Sequence, residues 1–163
     1  MQPARIVIAL LLGLLAYLIL CRAPAPTLVP KPTPSPNQVL LGMGRQWGVL
    51  SIRTGKPCST LQQAAEAQAA YQARVQIQGH QNRDVRMANL YRKMPNCNEF
   101  KEVVNESWSG QDVNAAANEM YRSWQTSNGH WSAVNGRCNY YGYAMCRGLN
   151  GIWYACAIFA LTR

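Results

Sequence analysis

The chain has 163 residues, 48% of them apolar, enough for one compact domain. Its formal net charge of +9 divides into +3 before residue 38 and +6 beyond it, where 13 basic residues stand against 7 acidic ones. Such a balance favours anionic surfaces such as lipid headgroups, wall polymers or nucleic acid. The basic side chains are scattered, however, with only Arg92 and Lys93 adjacent, and no nucleic-acid-binding motif is present, so nucleic acid is set aside as a partner.

Ile6 to Cys21 is an unbroken apolar run between Arg5 and Arg22. At about 1.5 Å per residue it reaches roughly 24 Å, short of a ~30 Å hydrocarbon core, which makes it a marginal span or a signal-peptide core. Cleavage after Ala25 is disfavoured by Pro26, so residues 1–22 read as an uncleaved N-terminal anchor. The alternatives are secretion after cleavage, or lipidation of Cys21. Residues 23–37, APAPTLVPKPTPSPN, contain no acidic residue and read as an extended, semi-rigid tether. The remaining 38–163 form the domain, held outside the cytoplasm in the cell envelope. Five cysteines lie beyond the anchor (Cys58, Cys97, Cys138, Cys146, Cys156), with no Cys-x-x-Cys pair. They suit an oxidising compartment, and an odd count leaves at least one thiol free or paired outside the domain. Cys146 and Cys156 flank an Asn150-Gly151 turn and face each other if the register allows.

Val39 to Ile52 predicts a short strand or a lead-in packed by Trp47. Ser59-Thr60-Leu61-Gln62 has a capping-box pattern, and an Ala- and Gln-rich helix follows to near Gly79. A second helix covers Asp84 to Lys93 and stops before Pro95. In Asn98 to Trp108, Glu102 and Glu106 stand four apart, which puts both carboxylates on one face if the stretch is helical. Val113, Ala116, Ala117, Met120, Tyr121 and Trp124 repeat with helical period, and Gly129 supplies a left-handed stop, leaving His130 just past a helix end. Asn139 to Cys146 and Ile152 to Ala160 form a hairpin apolar on both faces, hence a sheet covered by helices on both sides.

A helix ending in Trp124-x-x-Ser127-x-Gly129-His130, then Tyr141-Gly142-Tyr143-Ala144, then an aromatic final strand, resembles the superfamily of cysteine-rich secretory proteins, antigen 5 and pathogenesis-related proteins, called CAP. The resemblance runs from about Cys58 to the C-terminus. It implies an α+β fold, a three-layer α/β/α sandwich, and a polar cavity lined by His130 and a second histidine, here His80. It also brings a glutamate to the two histidines: Glu106 first, Glu102 as the alternative, neither with the flanking Gly and Asn of the family segment. Glu119 fits a further cavity position poorly and reads as a surface charge.

Two histidines and a carboxylate are a donor set for Zn²⁺ with an open position, and His80 and His130 are its candidate metal ligands. No His-Glu-x-x-His helix is present, so such a site has to be assembled from separate segments. Ser127 and Ser132 lie near His130 without a nucleophile elbow, so no catalytic residue is assigned. The reading is a membrane-tethered binding domain with a His-lined polar cavity for a divalent metal, lipid or envelope polymer. A metal-dependent hydrolase of peptide or wall material and a structural envelope protein are the alternatives. Oligomeric state stays open.

Overall fold

The computed structural model describes residues 33–162, and their compact unit begins at Pro34. The apolar run and most of the proline-rich tether, with the insertion, cleavage or lipidation expected of them, lie outside the described residues. Among the described residues no helix is long and apolar enough to cross a membrane.

Where a strand or lead-in is expected, the chain forms two helices, α1 (Pro36–Gln46) and α2 (Leu50–Thr54). Ser35 and Gln38 build a capping box, Ser35 Oγ accepting from the Gln38 N–H at 3.3 Å and Gln38 Oε1 accepting from the Ser35 N–H at 2.8 Å. Pro36 fits the first helical turn, where its missing N–H costs nothing. The end of the expected tether thus belongs to the fold. After β1 (Lys56–Pro57), α3 (Ser59–Val75) starts from Cys58 without a side-chain cap. The expected capping box at Ser59 is not formed, because Gln62 is held elsewhere: its amide takes both backbone groups of Tyr143, Nε2 to O at 2.8 Å and Oε1 from N at 3.1 Å. α3 ends at left-handed Gln76, before Gly79.

α4 (Arg83–Lys93) leads into β2 (Cys97–Glu106). This strand corrects the helical reading of Asn98 to Trp108. Phe100, Val103 and Val104 are buried on alternating sides of the sheet, and β-branched pairs of this kind suit a pleated surface better than a helix. Asp112 caps α5 (Val113–Thr126) by accepting from the N–H groups of Asn114 and Ala115. α5 stops at extended Ser127, and Gly129 and His130 lie inside a further short helix, α6 (Asn128–Val134). Gly129 is therefore no left-handed stop. β3 (Tyr140–Arg147) and β4 (Trp153–Thr162) form the expected hairpin.

The sheet order is β1-β3-β4-β2, with β1 parallel to β3 and the other pairs antiparallel. One face carries α1, α5 and α6 over Tyr143, Phe159, Tyr121 and Trp124. The other carries α3 and α4 over Leu61, Ala65, Phe100 and Ile158. Burial on both faces explains why β4 reads as an almost continuous apolar run. Gly142 lets α3 lie directly on β3, since a Cβ there would run into the backbone of Leu61 and Gln62. Cys146 pairs with Tyr154 and Cys156 with Ala144, so the two thiols are out of register, and all five described cysteines are free.

Candidate functional site

Glu102 anchors the site. It lies on edge strand β2, its side chain wholly excluded from solvent, where an unpaired carboxylate is costly. Arg86 of α4 meets it in a bidentate pair, Nε to Oε2 at 2.6 Å and Nη2 to Oε1 at 2.8 Å. His80 Nδ1 stands 2.9 Å from Oε1. An ionised carboxylate only accepts, so Nδ1 is the donor. Burial alone pushes the Glu102 carboxyl up, but the hydrogen bonds and charges of Arg86 and His80 outweigh it and hold the carboxyl below its usual range.

Buried glutamines of α3 hold the loop that carries His80. Gln68 Nε2 donates to the Gly79 carbonyl at 2.6 Å, and Gln72 Oε1 accepts from the Gly79 N–H at 3.0 Å. Arg86 adds a bond from Nη1 to the Gln81 carbonyl at 3.1 Å. His80 is thus fixed from two helices and still partly open to solvent, its side chain 41% exposed.

A cavity of about 390 Å³ runs along the free side of β2, lined by Arg83, Lys101, Glu102, His130 and Ser132 among others. His130 reaches it from α6, across the sheet edge from the Arg86 side. Burial, and then the nearby His80, lower the His130 pKa and favour the neutral ring. The fold therefore brings His80, Glu102 and His130 into one neighbourhood. Glu106 is exposed at the far end of β2, four residues and about 13 Å along the strand, and does not line the cavity. Glu119 sits on α5 and takes no part in the hydrogen bonds of the site. Ser132 Oγ is turned back to the Gly129 carbonyl at 2.9 Å.

The donors do not suit a resident Zn²⁺. Both Glu102 oxygens are taken by Arg86 and His80, the cation beside them is a guanidinium, and no cluster of three metal-ligating side chains occurs among the described residues. Arg86 went unread in the sequence, because nothing in Arg83-Asp84-Val85-Arg86 sets it apart from a solvated helical arginine. Trp131 packs edge-on against Trp47 with centroids 6.4 Å apart, and Trp153 donates from Nε1 to the Gln111 carbonyl at 3.1 Å.

No family model matches the chain, and no curated protein resembles it in sequence. Solved structures do. An outer surface protein from Borrelia burgdorferi is similar over 76% of this chain and 87% of its own, with a TM-score of 0.56 and 13% identity. BmVAL-1, a venom allergen-like protein, is similar over 86% of this chain and 82% of its own, with a TM-score of 0.51 and 15% identity. At such identities the likeness is one of fold, and the fold of this chain is the CAP type.

Proposed function

We infer that the protein is a membrane-tethered binding domain outside the cytoplasm, taking its ligand in the cavity lined by Arg83, Glu102 and His130. The observation that carries this reading is the closed carboxylate. Glu102 is excluded from solvent and doubly bonded to Arg86, so it positions His80 and is poorly placed to ligate a metal or take a proton. The cavity wall keeps polar groups free to bind: the guanidinium of Arg83 and the imidazole of His130. Arg83 has no carboxylate within ion-pair distance among the described residues. This favours a ligand with an anionic group. The tether reading rests on the apolar run Ile6–Cys21 and the prolines that follow it.

The test uses the two histidines of the chain as reporters. Full-length protein in detergent micelles is titrated with acetate and glutarate, and separately with zinc, while the imidazole resonances are followed. The expected outcome is saturable movement of the His130 signal with the carboxylates. Zinc should leave both signals in place at about 10 µM, and binding should strengthen when Arg86→Leu frees the carboxylate. Saturation of the unaltered protein by micromolar zinc, or indifference of both histidines to carboxylates, would overturn the reading.

A further inference from the structure

The register of the sheet determines which backbone groups of β2 face the cavity. Ser107 N–H donates to the Trp153 carbonyl at 2.9 Å, and Ser107 continues the β2–β4 register opposite Trp153. In an antiparallel pair the closely bonded positions alternate, so Lys101, Val103 and Asn105 bond to β4, while Phe100, Glu102 and Val104 turn their N–H and C=O groups outward. The Val104 carbonyl agrees, since it accepts from Trp124 Nε1 at 3.2 Å, from outside the sheet.

Elsewhere the outward strand groups are met by side chains. On the opposite edge, past the short β1, the Gln62 amide takes both backbone groups of Tyr143, and Asn37 Oδ1 accepts from the Met145 N–H at 2.8 Å. Phe100 and Glu102 have no such partner among the described residues, and both line the cavity; the exposure left to Glu102 is that of its main chain, since its side chain is excluded from solvent. A free strand edge of this kind is a template for another strand. A bulge between Cys97 and Glu99 ends this open stretch on one side, and the indole of Trp124 ends it on the other.

We propose that an extended peptide with an acidic side chain docks in this cavity as an added strand, pairing its backbone with Phe100 and Glu102 and setting its carboxylate against Arg83. The proposal rests on the reading that the cavity takes a ligand with an anionic group, and names that ligand. Two outward residues, about 6.8 Å apart along the strand, call for three consecutive extended residues in the partner, with alternate ones bonding. The charges agree. Glu102 is cancelled by Arg86 and Glu99 stands 3.5 Å from Lys101, leaving Arg83 as the uncompensated charge of the cavity wall.

The probe is a capped, fluorescently labelled pentapeptide of alternating Val and Thr with one central Glu, titrated into the full chain in micelles and followed by polarisation. N-methylation of the amides on one edge of the peptide should weaken binding about tenfold or more, and on the other edge hardly at all, because only one edge bonds to β2. Arg83→Glu should weaken the Glu peptide and favour its Lys counterpart. Equal effects of both methylation patterns, no response to Arg83→Glu, or no peptide binding by a protein whose His130 still answers to glutarate would overturn the added strand and leave the carboxylate-binding reading standing. Indifference to both peptide and glutarate would remove both.

Discussion

The cluster around Glu102 shows how a single carboxylate is made a fixed part of the scaffold. Removing its charge with Glu102→Gln leaves Arg86 largely buried without a counter-charge, and a broken pair of this kind costs about 3–5 kcal/mol. Urea unfolding at pH 7 should show a loss near the lower end of that range, since Arg86 retains some solvent contact. The sign of the pH effect follows from the lowered carboxyl. Its native pKa lies below the ordinary 4.5, so its stabilisation is complete above that value and is lost as pH falls through the native value. Glu102→Gln should therefore flatten the stability profile below about pH 4.5. His130 acts in a higher window. Its native pKa is below the ordinary 6.5, so the unfolded chain takes up the proton first and stability declines as pH drops below that value. His130→Gln should remove that step from the pH profile of unfolding.

At the scale of elements, α3 has two tasks. Its apolar side packs on the sheet through Leu61, Ala65 and Ala69, while buried Gln68 and Gln72 hold the His80 loop and half-buried Gln62 caps the outward backbone of β3. Gln68→Leu keeps the volume but removes the bond to Gly79, leaving the domain folded and about 1–2 kcal/mol less stable. The His80 resonance should broaden or shift while His130 stays in place, a pattern that separates loss of the brace from general loosening. Gly142→Ala drives a methyl group into the backbone of α3. Backbone yields less readily than side chains, so thermal unfolding should register a loss of about 2–3 kcal/mol.

Across the whole molecule, two cores meet on one four-stranded sheet. Trp124, fully buried between Tyr121 and Tyr143 with its indole on the Val104 carbonyl, ties α5 to β2. Trp124→Ala should cost about 3–5 kcal/mol. The cysteines sort by position in the same cores. Burial pushes the Cys138 thiol up to about 11 and Cys156 well above its ordinary value, so both are poor nucleophiles. Maleimide labelling of the native protein should reach the half-buried Cys58 and Cys146 first and modify Cys138 and Cys156 only on unfolding.

Much of this architecture is local and could be read along the chain. The helical repeat from Val113 to Trp124, the hairpin around Asn150-Gly151 and the apolar character of both hairpin faces depend on side-chain periodicity and turn residues, which the sequence displays directly. The two histidines and a choice of two glutamates were legible in the same way. The position of Glu102 was not, because residues four apart share a face in a strand as in a helix but lie about 13 Å apart in the strand against about 6 Å in the helix. Only the pairing of Asn98–Glu106 with β4 makes that stretch a strand. Partnership across the chain also decides the rest: Arg86 on Glu102, the glutamines behind His80, the thiols out of register, and the unpaired backbone of Phe100 and Glu102. The sequence by itself determined which segments could form helices and strands, because that preference lies in neighbouring residues. The tertiary structure alone decided which polar groups found partners, because those partners come from segments distant in sequence and are chosen by packing.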